Sequence, residues 1–120
     1  MTTPPPPVGA YTPIVRAGDW LVVSGQVGLR DGRLVPGGLR DELRQAIANL
    51  AAQLATEGAT LADVVKTTVF LRHMSDYADM NSTYVEGFGD HRPARSAIGV
   101  AELPLGALVE VEAWALAPAG

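Results

Sequence analysis

One permanent cation, Arg95, stands in a stretch of small and apolar residues. The segment reads RPARSAIGV, with Pro93 before a predicted strand and Arg95 just inside it. Because side chains alternate along a strand, Arg95 shares its face with Ala97, Gly99 and Ala101, which are all small. Such neighbours leave room for a ligand, and a guanidinium can bind a carboxylate through two parallel hydrogen bonds. The pattern therefore indicates an anion-binding arginine.

Two acids in the segment VEVEAWAL, Glu110 and Glu112, share one face of the last predicted strand with Trp114. Two carboxyls on one face can act as a general acid and base, or they can simply lie on a solvated strand edge. They also offer Arg95 a salt-bridge partner across the sheet. The residues alone leave these alternatives open, because paired arginines are common in structures without any catalytic role.

Other side chains give weaker chemical signals. Lys66 is the only lysine, but it alternates onto the same strand face as the charged Arg72, which argues against a Schiff base. His91 lies in a polar loop and is expected to be solvated. The chain has no cysteine, which excludes disulfides, thiolate nucleophiles and zinc–cysteine sites. With two histidines and no metal-binding spacing, the sequence predicts no metal site.

The composition favours one folded domain. The chain has 120 residues, of which 48% are hydrophobic and 18% charged, so a core can form and a partner subunit would help to stabilise it. A net charge of −4 with nine scattered basic residues predicts no nucleic-acid partner. The absence of a signal-like leader or a membrane-spanning run predicts a cytoplasmic protein. We expect residues 1–8, with four consecutive prolines, to be a disordered leader before a single domain at 9–120.

The periodicities predict an α+β domain. Strands are expected at residues 14–16, 20–26, 64–72, 94–101 and 108–116, with a short hairpin around the turn DGR and helices over 39–57 and 76–88. The first helix carries an apolar stripe, and its polar residues, Asn49 and Gln53 among them, are expected on the opposite side. Two helices must cover one face of the sheet, so the other face is expected to meet a partner.

Five segments together resemble the RidA family, also called the YjgF family. They are GAYTPIVRAGDWLVVSGQ, VVKTTVFL, NSTYVEGFG, HRPARSAI and LPLGALVEVEAWA, and they follow the family's order from residue 9 to residue 115. Each segment is weak alone, but five in order form a specific signal. Two departures stand out, because the family's GPY reads GAY here and Glu102 stands where a basic or neutral residue is frequent.

The resemblance implies a fold, an assembly and an activity. The fold would be chorismate-mutase-like, with a mixed sheet and two helices on one face, and three chains would form a trimeric barrel with clefts between subunits. Family members that carry the arginine hydrolyse reactive enamines and imines to 2-oxo acids and ammonia without a cofactor. The implied partners are a small imino or 2-oxo acid and two further copies of the chain. A non-catalytic trimer that binds small carboxylates is the alternative.

The resemblance also implies roles for individual residues. Arg95 of PARS would bind the substrate carboxylate, and Glu110 would lie near the attacking water. The cleft would be lined by further residues from the matched segments, with Ala97 contributing main-chain groups only: Tyr11, Ser24, Gly25, Asn81 and Ala97.

Overall fold

The structure, a computed structural model, describes residues 3–119. Its elements in chain order are β1 Ile14–Ala17, β2 Trp20–Gln26, β3 Leu29–Arg30, β4 Arg33–Leu34, α1 Leu39–Ala55, β5 Val64–Leu71, α2 Tyr77–Phe88, β6 Ala94–Gly99 and β7 Val109–Leu116. All the predicted elements are present, and their ends differ from the prediction by a few residues. The ends that differ most are those of β6, which ends at Gly99 where the strand was expected to reach residue 101, and of α1, which ends at Ala55 where the helix was expected to reach residue 57.

A mixed five-stranded sheet in the order β1-β2-β7-β5-β6 forms the centre of the domain. Its pairs are antiparallel except for β5 and β6, which run parallel with α2 as their connection. The hairpin of β3 and β4 stands apart as a two-stranded sheet. These elements confirm the α+β class with a mixed sheet and two helices.

The core lies between the helices and one face of the sheet. The apolar stripe of α1 is buried as predicted, with Leu43, Leu50 and Leu54 fully enclosed. They pack against alternate residues of β7, including Val109 and Val111. Truncating a fully buried leucine such as Leu50 to alanine typically costs about 2–5 kcal/mol. This packing fixes which face of each strand is turned toward the helices.

Two polar residues of α1 contradict the predicted division of the helix. Asn49 and Gln53 were expected on the exposed side, but they are only 2% and 4% exposed. The Asn49 amide donates hydrogen bonds to the main-chain oxygens of Val27 and Leu29, at 3.0 and 2.9 Å. The reason is tertiary, because the chain leaves the sheet after β2 and its carbonyls need a donor from α1.

The opposite face of the sheet remains open. It exposes five large apolar side chains: Val15, Trp20, Ile98, Trp114 and Leu116. Trp20 and Trp114 meet edge to face with ring centroids 6.1 Å apart. Such an exposed apolar sheet is typical of a protein–protein contact surface.

In residues 3–119, no helix is long and apolar enough to cross a lipid bilayer.

Candidate functional site

A cavity of about 220 Å³ opens beside the end of β2. Its walls are largely apolar, from the proline-rich segment that precedes β1 and from residues that follow β2. The polar residues that line it are Tyr11, Ser24, Gln26, Gln53 and Glu110. The cavity therefore brings together four of the predicted site residues: Tyr11, Ser24, Gly25 and Glu110.

Gly25 has no side chain, and the Glu110 carboxylate occupies the space beside it. The register between β2 and β7 shifts between Val23 and Gln26, so Ser24 and Gly25 lie in an irregular part of the strand. A Cβ atom on Gly25 would lie 2.6 Å from both Cδ and Oε1 of Glu110. A side chain at this position would displace the carboxylate, so the glycine allows the carboxylate to rest against the main chain.

Glu110 is electrostatically unusual. Its side chain is half-buried on the open side of β7, and burial raises its pKa above the ordinary glutamate value. The neighbouring Glu112 carboxylate raises the pKa of Glu110 further, because ionising both acids brings like charges together. A carboxyl with a raised pKa can exchange protons closer to neutral pH, which suits a general acid or base.

Ser24 and Tyr11 hold the segment before β1 against the cavity. Ser24 Oγ donates to the Thr12 carbonyl at 2.7 Å, and the Ser24 main-chain nitrogen donates to the Pro13 carbonyl at 2.9 Å. The main-chain nitrogen of Val8 donates to Tyr11 Oη at 3.2 Å. The Ser24 hydroxyl oxygen can still accept a hydrogen bond from a ligand.

Arg95 lies at the other side of the domain, on the edge strand β6. Its Nη2 donates to Tyr77 Oη at 2.8 Å, and Cζ lies 4.8 Å from the ring centroid of Tyr84. Tyr84 is itself fixed by a 2.7 Å hydrogen bond between its hydroxyl and Thr67 Oγ1. The two tyrosines of α2 thus position the guanidinium and leave most of its five N–H groups available.

The alternative of a salt bridge from Arg95 to Glu110 or Glu112 is wrong. Arg95 pairs in register with Thr67 and faces α2, whereas both glutamates lie on the open face. The ion pairs found in residues 3–119 are those of Arg40 and Arg44 with acids of α1 and α2.

Asn81 and Ala97 lie on the Arg95 side. Asn81 is exposed and follows Tyr77 by one turn of α2, so the two side chains lie on the same side of the helix. Ala97 lies two residues after Arg95 on the same strand face and packs partly against the core. The structure therefore divides the predicted site into two groups, which a single chain does not bring together.

Sequence reasoning missed the residues that complete each group. The sequence did not identify Tyr77 and Tyr84 as partners of Arg95. Their contact depends on the parallel pairing of β5 and β6, which places α2 over Arg95 and was not predicted. Gln53 was assigned to the wrong side of its helix. In residues 3–119 no group of three or more acids and histidines could hold a metal ion.

The sequence matches the family model described as Endoribonuclease L-PSP over residues 1–117. The chain is 43% identical over 117 residues to the 2-iminobutanoate/2-iminopropanoate deaminase of Mus musculus, covering 96% of this chain and 87% of the relative. It is 34% identical to RidA from the Antarctic bacterium Psychrobacter sp., with a TM-score of 0.91 and coverage of 95% and 94% of the two chains.

A second similar structure is TdcF from E. coli with bound serine, which is 29% identical. Its TM-score is 0.88, and the match covers 96% of this chain and 94% of that one. The ordered motifs, the fold and these likenesses agree, and the chain belongs to the RidA (YjgF) family.

Proposed function

We propose that this protein hydrolyses 2-imino acids and their enamine tautomers to 2-oxo acids and ammonia. The observation that carries this proposal is Arg95, which two tyrosines position and which has no acidic partner in residues 3–119. Such a cation is prepared to bind an external carboxylate. The name of the mouse relative, a 2-iminobutanoate/2-iminopropanoate deaminase, supports this substrate class. The serine bound to TdcF supports a small amino-acid-like ligand.

The assembly we propose is a homotrimer of the chorismate-mutase-like type, with each cleft between two subunits. The Arg95 group and the Glu110 group lie on opposite faces of one sheet, so the two groups of one chain cannot both contact the same small substrate. The open face, with Trp20, Trp114 and Leu116 exposed, supplies an apolar surface for such a contact. A neighbouring subunit can then present its Arg95 to the cavity that contains Glu110.

The proposed reaction consumes one water molecule. Arg95 binds the substrate carboxylate, while Glu110 accepts a proton from the water that attacks the imine carbon. Glu110 returns that proton to the substrate nitrogen, which gives a neutral carbinolamine. Glu110 then moves the hydroxyl proton of the carbinolamine to the same nitrogen, so the C–N bond breaks, ammonia leaves and the 2-oxo acid remains. Tyr11, Ser24, Gly25, Asn81 and the main chain of Ala97 line the cleft in this proposal.

An assay for imine decay tests the activity. An amino-acid oxidase generates the imine, and semicarbazide traps whatever is not hydrolysed. Wild-type protein should lower semicarbazone formation, and Arg95→Ala should lose at least about a hundredfold in rate. Arg33→Ala, which removes an exposed arginine from the β3–β4 hairpin, is the matched control and should retain activity. Ligand binding without turnover would instead indicate a carboxylate-binding trimer.

The solution mass tests the assembly separately. Light scattering should give three times the 12.6 kDa of one chain. Trp114→Glu places a charge on the open apolar face and should shift the mass toward the monomer. A wild-type monomer that still hydrolyses imines would contradict the shared cleft.

The family model's description names an endoribonuclease, but we propose that this chain does not act on nucleic acid. Its net charge of −4 and its scattered basic residues provide few phosphate contacts. Incubation of purified protein with RNA at physiological salt should leave the RNA intact. RNA cleavage by the wild-type protein that is lost when a residue of this chain is substituted would overturn this part of the proposal, because such cleavage would belong to the chain itself.

A further inference from the structure

Two buried side-chain amides lie one turn apart on α1, and only one of them is satisfied by the protein. Asn49 is fully engaged, because its nitrogen donates to two main-chain carbonyls and its Oδ1 accepts from Gln45 Nε2 at 2.9 Å. Gln53 forms hydrogen bonds through its main-chain oxygen, which accepts from the nitrogen and the hydroxyl of Thr56. Its side-chain amide has no partner within residues 3–119.

The Gln53 amide reaches the cavity that contains Glu110. The residue is only 4% exposed, and it is among those that line the cavity. In the described part of the chain, every completely enclosed side-chain nitrogen or oxygen has a hydrogen-bond partner. The unpaired amide of Gln53 therefore retains contact with the cavity. An amide in such a position can both donate to and accept from a polar group of a ligand in the cavity.

The other neutral polar groups of the cavity already have partners. Gln26 Nε2 donates to the Ser24 carbonyl at 3.0 Å, and Ser24 Oγ donates to Thr12. Tyr11 Oη accepts from the Val8 main chain. Gln53 is thus the neutral side chain of this cavity that makes no hydrogen bond of its own within residues 3–119, so its full donor and acceptor capacity is free for a ligand.

We propose that Gln53 selects substrates whose side chain carries a neutral hydrogen-bonding group, such as a hydroxyl or a carboxamide. This inference rests on the proposed imine hydrolysis and adds the substrate side chain to it. The cavity volume of about 220 Å³ suits a side chain of a few atoms. A negatively charged side chain is disfavoured, because the Glu110 carboxylate lines the same cavity.

Imines that differ only by a hydroxyl in place of a methyl group test the inference. D-amino-acid oxidase can generate them from D-serine and D-2-aminobutanoate, and from D-homoserine and D-norvaline for a longer side chain. Wild-type protein should prefer the hydroxyl member of at least one pair by about tenfold in kcat/KM. Equal rates within both pairs, or faster hydrolysis of the methyl members, would overturn the proposal.

Gln53→Leu removes the amide but keeps a side chain of similar size. It should abolish or reverse the hydroxyl preference, because the hydroxyl substrates lose more in kcat/KM than the methyl substrates do. Gln45→Leu makes the same change on α1 at a residue that does not line this cavity, and it should keep the preference. An equal loss on both substrates would show that Gln53 has a structural role only.

A binding measurement separates this inference from the proposed activity. In ¹⁵N-labelled protein, the Gln53 side-chain amide signals, assigned with Gln53→Leu, should shift with 3-hydroxy-2-oxopropanoate more than with 2-oxobutanoate. That result in a protein without imine hydrolysis would reject the activity and retain the subsite. Active protein whose amide signals do not move with either compound would reject the subsite and retain the activity.

Discussion

Arg95 and Glu110 lie on opposite faces of the same sheet, with strand β5 between the strands that carry them. Arg95 pairs with Thr67 on the helix side, whereas Glu110 pairs with Phe70 on the open side. Two groups that would hold one small molecule are therefore separated by the sheet itself. The relationship favours a site that two copies of the chain build together.

Mixed trimers should reveal whether the site is shared. Arg95→Ala and Glu110→Ala are each expected to be inactive, but co-expressed in equal amounts they should regain activity, because some clefts then combine an intact Arg95 with an intact Glu110. Random mixing of two chains restores about one quarter of the clefts. The check is imine hydrolysis by the co-purified mixture, compared with each variant alone. If the co-purified mixture were as inactive as each variant alone, both residues would belong to a site within one subunit.

The acid limb of the pH–rate profile should follow Glu110. Burial and Glu112 raise the pKa of Glu110, so the base is protonated and lost as pH falls through that raised value. Glu112→Gln removes the neighbouring negative charge and should move the acid limb to lower pH. Glu57→Gln removes one exposed charge just after α1 and should leave the limb unchanged. The measurement is kcat/KM across pH for the three proteins, and an unmoved limb in Glu112→Gln would argue against Glu110 as the base.

Gly25→Ala should impair the reaction more than the fold. The new Cβ would lie 2.6 Å from the Glu110 carboxyl, which is the far end of a flexible side chain and can move away. We expect a loss of at least about tenfold in kcat, with the melting temperature nearly unchanged. In a Glu110→Ala background the same substitution should have no further effect on rate, since its target is gone. Additive losses in the double variant would mean that Gly25 acts through another group.

Glu42→Gln should stabilise the protein at neutral pH. Glu42 is buried in α1, its Oε1 accepts from the Leu108 main-chain nitrogen at 2.9 Å, and burial raises its pKa. A raised pKa in the folded state stabilises the protein at low pH, and this contribution is lost as pH rises through that pKa. Glutamine keeps the acceptor without the charge, so we expect a gain of up to about 1 kcal/mol. Urea unfolding should show the difference at pH 7 and a smaller one at pH 4.

Alternation and helical periodicity were enough to predict the faces of β7 and the apolar stripe of α1. They failed for residues whose burial or hydrogen-bond partners depend on another part of the fold. Asn49 is buried because the carbonyls of Val27 and Leu29 need a donor, and no pattern in α1 itself reports that need. The tyrosine partners of Arg95 depend on the parallel pairing of β5 and β6, which brings α2 over the edge strand.

The edge-to-face pair of Trp20 and Trp114 has a spectroscopic consequence. These are the two tryptophans of the chain, and both are on the open face, 39% and 45% exposed. The indole emission of this protein therefore comes entirely from that face, and burial of the face shifts it toward shorter wavelengths. The coupled rings also form a chiral pair whose near-ultraviolet dichroism depends on their mutual angle. The protein thus carries an intrinsic optical label at the surface where we expect subunits to meet.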